Sequence, residues 1–223
     1  QHLTPDYEIG CKRILLSDDY YPTLGQPHVV YEPSALTSVV ENKACAASGA
    51  THDLDVLVLA TGFEATRPPV AVRIRGRDGQ VLDDHWSRGM VSYASTTVAG
   101  FPNMFVLDGP NAALGHNSAI YMIETQLDYV VGALNYIAAK SISSLEVSAE
   151  AEVAYTAEID ERSAPTVWLT GCRSWYVDQR SGRLTLLWPG TAVSFRERNG
   201  TFDPGPYVVR RSEFAPASPG GGR

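Results

Sequence analysis

The sequence predicts an α/β fold, and three observations carry that reading. Leu54-Asp55-Val56-Leu57-Val58-Leu59-Ala60 is a nearly unbroken apolar, β-branched run between Asp53 and Gly62, the pattern of a strand buried on both faces of a parallel sheet. Ile120, Ile123, Leu127, Val130, Leu134 and Ile137 recur at spacings of three and four, which gives a helix over residues 118–140 one apolar face. Between these two, a strand at 103–107 leads to a glycine turn and then directly into the helix.

The remaining elements follow the same rules. Short strands are expected at 13–16 and 28–32, and a Glu- and Ala-rich helix at about 148–162. Beyond Pro165, Trp168, Trp175 and Trp188 lie among Gly and Pro, as in an irregular packed segment. The tail from Pro216 to Arg223 is too poor in apolar residues to fold and is expected to be disordered.

Bulk properties exclude some functions. The 223 residues are 44% hydrophobic and 19% charged, an ordinary globular balance with material for a sizeable core. Eighteen basic against 25 acidic residues give a formal charge of -7, with no basic cluster to follow a phosphate backbone, so nucleic acid is not an expected partner. No apolar run approaches the ~20 residues of a membrane span, so no membrane contact is expected. Cys11, Cys45 and Cys172 are widely spaced and odd in number, which suits reduced thiols and a cytoplasmic location, and they form no metal-binding pair. The chain begins without Met or a signal segment and reads as starting in mid-protein.

Four local patterns could carry chemistry. Gly10-Cys11-Lys12-Arg13 puts an ammonium and a guanidinium on a turn, where a permanent planar cation can hold a developing anion; a solvated turn is the plain alternative. Ala60-Thr61-Gly62-Phe63 ends the apolar run with small residues, and ligands of open α/β sheets collect at such ends. Gly109-Pro110-Asn111 and Leu114-Gly115-His116-Asn117-Ser118 open the long helix, aiming backbone N–H groups and the positive end of the helix dipole at whatever occupies the turn. Ser174-Trp175-Tyr176 and Trp188-Pro189-Gly190 hold indoles that serve either as core anchors or as ligand contacts.

Taken in order, these patterns resemble the class B flavoprotein monooxygenases, the Baeyer–Villiger and flavin-containing type, and in particular the branch related to 4-hydroxyacetophenone monooxygenase. Thr4-Pro5-Asp6-Tyr7, Gly10-Cys11-Lys12-Arg13, Tyr20-Tyr21 and Ala60-Thr61-Gly62-Phe63 resemble the end of that family's NADPH domain. Gly76-Arg77-Asp78-Gly79, Trp86, Gly100-Phe101-Pro102-Asn103, Gly109-Pro110-Asn111 and Glu124-Thr125-Gln126 resemble the returning part of its FAD domain. The resemblance runs from about residue 1 to about 207.

It implies an incomplete pair of Rossmann-like dinucleotide-binding domains with a helical and irregular carboxy-terminal segment. The expected divisions are 1–62, the end of the NADPH domain; 63–140, the returning FAD domain; 141–210, a segment packing near the active site; and 211–223, a tail. The cofactors implied are FAD and NADPH, and the reaction is insertion of one oxygen atom from O2 into a ketone, or oxygenation of nitrogen or sulfur.

By resemblance, Arg13 stabilises the peroxide anion formed when reduced flavin captures oxygen and Lys12 lies near the NADPH 2′-phosphate. Gly109, Pro110, Asn111 and Ser118 lie against the flavin, Trp175 bonds the NADP ribose, and Thr61 and Gly62 line the crossing between the two domains. Leu114, Gly115 and His116 shape the substrate pocket. No GxGxxG occurs, so both pyrophosphate-binding fingerprints are expected upstream, in a missing dinucleotide-binding half. This chain alone is then expected to be inactive. The rival expectations are a noncatalytic remnant or interaction module that binds no flavin, and a disulfide-reductase-type flavoprotein, which would not account for Gly-Cys-Lys-Arg.

Overall fold

The computed structural model describes residues 3–171 and 173–211. Two compact units divide them, one of residues 1–6 and 14–63, the other of 7–13 and 64–223. Cys172 and the tail from 212 onward, with the disorder expected there, lie outside the described residues.

The first unit holds a short helix α1 (Tyr20–Leu24) and an antiparallel meander of β1 (Leu36–Val40), β2 (Lys43–Ala46) and β3 (Thr51–Asp53). Val40 pairs with Lys43 across a two-residue turn in which Glu41 takes φ 56°, and Lys43 pairs with Asp53 on the other side. The strands expected at 13–16 and 28–32 are irregular segments instead.

The apolar run 54–60 is likewise not a strand. After Leu54 N–H donates to Asn42 O, the segment runs free of any ladder, leaving Val56 75% and Val58 80% exposed. A strand of a parallel sheet needs a strand on each side and helices above and below. The described residues of this unit supply only the antiparallel meander.

The second unit contains α2 (Leu82–His85), α3 (Ala119–Lys140), β4 (Ile142–Val147), α4 (Ala149–Ser163), α5 (Val167–Thr170), α6 (Ala192–Asn199) and β5 (Tyr207–Arg211), with β4 and β5 antiparallel. The expected long helix exists. It begins after Ser118 and ends where Ser141 takes the left-handed conformation (φ 50°) and returns its N–H to Ile137 and Ala138. α4 starts at an N-cap in which Ser148 Oγ accepts from Ala151 N at 3.1 Å, with Glu150 and Glu152 favourably placed in the first turn. Residues 103–107 form no strand, because their polar groups reach scattered partners: Asn103 N donates to Leu145 O and Val106 N to Thr96 O.

The face that α3 buries differs from the expected one. Met122, Thr125, Gln126, Tyr129 and Ala133 turn inward, while Ile120 (62% exposed), Leu127 and Leu134 (50%) face outward. Tyr129 and Ala133 pack with Ile142, Leu145, Val147 and Tyr207, and Met122 packs with Ala112, Leu114, Tyr155, Trp188 and Phe195. Burial and the neighbouring phenol at Tyr207 push the Tyr129 hydroxyl well above its ordinary pKa, so this core stays neutral.

Candidate functional site

The Gly-Cys-Lys-Arg turn is built by contacts from far along the chain. Gly10 takes φ +88°, a conformation that glycine adopts without a Cβ penalty, and Cys11 N donates to Glu8 O at 3.2 Å to close the turn. Trp168 Nε1 then donates to Gly10 O at 3.1 Å, and Ser174 Oγ to Cys11 O at 3.2 Å. Two carbonyls that the turn exposes are thereby satisfied, which fixes the direction in which Lys12 and Arg13 leave it. Cys11 is buried and disulfide-bonded, whereas Cys45 is a free thiol, so the expectation of reduced thiols fails at Cys11.

Arg13 reaches the loop that opens α3. Its Nη1 donates to Leu114 O at 3.3 Å, across 101 residues of sequence. Lys12 is exposed, with its ammonium 4.3 Å over the Tyr7 ring. Behind Arg13, Tyr176 is buried, and burial raises its phenol pKa against the opposing influence of the Arg13 charge. Trp175 is 57% exposed and lies on Tyr176 at 4.3 Å between ring centroids.

The turn before α3 is equally constrained. A Cβ at Gly109 would come within 2.8 Å of Val106 Cγ1, so the turn requires glycine there. Asn111 is buried at φ 56°, and its Nδ2 donates to Leu184 O at 2.6 Å and Leu187 O at 3.0 Å. Its backbone N–H goes to Thr185 O, and the pairing continues with Ala113 N donating to Leu186 O and Trp188 N to Ala113 O. Asn111 therefore ties the turn to the 184–188 segment and has no donor left for a ligand.

The other expected site residues divide by exposure. Pro110 is buried, and the Leu114 side chain packs in the core with Trp188 and Met122, so Leu114 offers its carbonyl. Gly115 faces open space, and His116 and Ser118 are exposed. Ser118 makes no side-chain capping bond, which leaves the first-turn amides of α3 open to a ligand. Thr61 and Gly62 belong to the first unit and are exposed.

Trp168 and Ser174, which hold the cationic turn, escaped sequence reasoning as site residues. Polar hydrogens on otherwise packing side chains are the signal that could have found them. Among the described residues, no group of three His, Cys, Asp or Glu side chains could hold a metal ion, and no helix is long and apolar enough to cross a membrane.

An exposed guanidinium bonded to the loop that leads into a long helix is, in a mixed α/β chain, a group able to stabilise negative charge. No family model matches the chain. It is 41% identical over 217 residues to a Baeyer-Villiger monooxygenase of Pseudomonas aeruginosa, covering 97% of this chain and 41% of that protein. To a Baeyer-Villiger monooxygenase of Streptomyces coelicolor it is 43% identical over 222 residues, covering 98% and 42%. The crystal structure of OTEMO with FAD and NADP superposes with a TM-score of 0.76 at 26% identity, over 90% of this chain and 38% of that one. The chain is thus similar to the carboxy-terminal part of class B flavoprotein monooxygenases, and spans about two fifths of the length of these relatives.

Proposed function

We propose that this chain is the carboxy-terminal part of an FAD- and NADPH-dependent monooxygenase that inserts one oxygen atom from O2 into a ketone, or adds it to nitrogen or sulfur. The observation that carries this reading is the Arg13 guanidinium held on the Leu114 carbonyl, at the loop leading into α3. The donors of the site suit a flavin: a permanent cation, uncapped helix amides and an exposed indole all favour a ring edge that gains negative charge. Bound FAD would accept hydride and activate oxygen.

Within that scheme the protein's own residues place charge and exclude water. Arg13 stabilises negative charge beside the ring, and its bond to Leu114 O keeps the planar fork pointed along the loop. Gly109 and the start of α3 lie against the ring, and the Trp175 indole donates a hydrogen bond to the NADP ribose. Thr61 and Gly62 line the crossing between the two dinucleotide domains of the complete protein. Gly115 and His116 border the substrate. Lys12, an exposed point charge, binds the 2′-phosphate. For the Lys12→Ala variant of the full-length protein we expect NADPH affinity to fall about tenfold and NADH affinity to hold. Equal losses for both cofactors would remove that role.

The remaining partner is a dinucleotide-binding half that precedes this chain. The outward apolar stripe of α3 (Ile120, Leu127, Val131, Leu134) and the free run at Val56 and Val58 are surfaces that such a half would cover. Co-expression with the preceding three fifths of the Pseudomonas relative tests the whole reading. A yellow complex with flavin absorbance is expected; a colourless one overturns it.

A further inference from the structure

Besides Asn111, a side chain of α3 holds the turn proposed to face the flavin. Ala94, Ser95, Asp108 and Asn111 all take positive φ, between 50° and 56°, a conformation that costs a non-glycine residue about 1–2 kcal/mol. Such turns persist only when their surroundings over-determine them. Gln126, fully buried on α3, spans the two segments that contain them. Its Nε2 donates to Ser95 O at 2.6 Å, with Thr96 Oγ1 and Val106 O each at 3.2 Å, and its Oε1 accepts from Asp108 N at 2.9 Å.

The chemistry fixes the orientation of this amide. Asp108 N–H can only donate and the carbonyls of Ser95 and Val106 can only accept, so oxygen must face the first and nitrogen the others. A neutral side chain that donates and accepts from one planar end is required. We infer that Gln126 is a positioning residue: it sets the Asp108 peptide, and through it the adjoining Gly109 turn, against which the flavin edge lies. Gln126 touches neither cofactor nor substrate and acts through Asp108. This inference rests on the flavin reading given above.

The test uses Gln126→Leu and Gln126→Glu in the flavin-loaded full-length protein, following hydrogen exchange at the Asp108 amide, FAD affinity and the visible spectrum of the bound flavin. Gln126→Leu is expected to expose the Asp108 amide and weaken FAD about tenfold, because the four groups bonded to the Gln126 amide lose that partner. In Gln126→Glu the introduced carboxyl faces carbonyls in a buried site, which raises its pKa, and only its protonated form donates. Flavin affinity and spectrum should therefore recover as pH falls from about 8 to about 6, a response absent from the wild type. Tyr155, linked through Ser95, and Tyr129, one turn along α3, are kept neutral by burial over that range.

Should Gln126→Leu fail to fold, the pH response of Gln126→Glu still decides. Loss of Asp108 protection with unchanged flavin affinity and spectrum would make Gln126 merely structural and overturn the inference alone. A wild-type protein that takes up no flavin would overturn the functional reading and this inference with it.

Discussion

Replacing Arg13 by Ala in the full-length enzyme is expected to lower product formation at least about a hundredfold while leaving flavin reduction by NADPH within a few-fold of wild type. Losing one preorganised donor beside a developing negative charge typically costs ~10²–10³ in rate. The role proposed for Arg13 rests on its Nη1 being bonded to Leu114 O on the loop entering α3. The peroxide anion assigned to Arg13 forms only after reduction is complete, so the reductive half should survive. Arg13→Lys separates charge from shape: an ammonium keeps the sign but not the planar fork, and partial activity is expected. Stopped-flow reduction under anaerobic conditions, beside product analysis in air, measures both halves. Normal product yield from Arg13→Ala would remove the assigned role.

The second large effect is expected at Asn111. Asn111→Ala strips the partner from two buried acceptors, Leu184 O and Leu187 O, at about 1–3 kcal/mol each, and puts alanine at φ 56° for about 1 kcal/mol more. The amides that pair the turn with the 184–188 segment, those of Asn111, Ala113 and Trp188, should then exchange roughly a hundredfold faster or more. Asn111→Gly removes the conformational part only and should recover a fraction of the loss. Unchanged protection in Asn111→Ala would mean that the backbone pairing holds the turn unaided.

These two residues differ in how they could be recognised. Arg13 was singled out by the order of the motifs around it, because a cation after a glycine is by itself more often part of a solvated turn. Asn111 was expected against the flavin, yet its donors point into the protein. Its side chain is small and polar enough to tolerate the left-handed region, and which carbonyls it would meet depends on a segment some 73 residues away.

The sequence by itself determined the local structure: the start of α3 after Ser118, the Ser148 cap of α4, the glycine turn before the helix, and the kinship of the chain with flavin monooxygenases. These depend on neighbours within one or two turns, where propensity and capping dominate. Tertiary structure alone decided which face of α3 is buried and whether the run at 54–60 pairs. Hydrophobic periodicity assumes that the covering partner is present. Here Gln126 turns inward because loop carbonyls satisfy it, while Ile120 and Leu134 point outward because nothing described covers them. The hairpin of β1 and β2 was missed for a related reason, since Glu41-Asn42 carries none of the Asn-Gly or Asp-Gly chemistry that announces a two-residue turn. Burial is a property of pairs of surfaces, and a single stretch of chain encodes only one of the two.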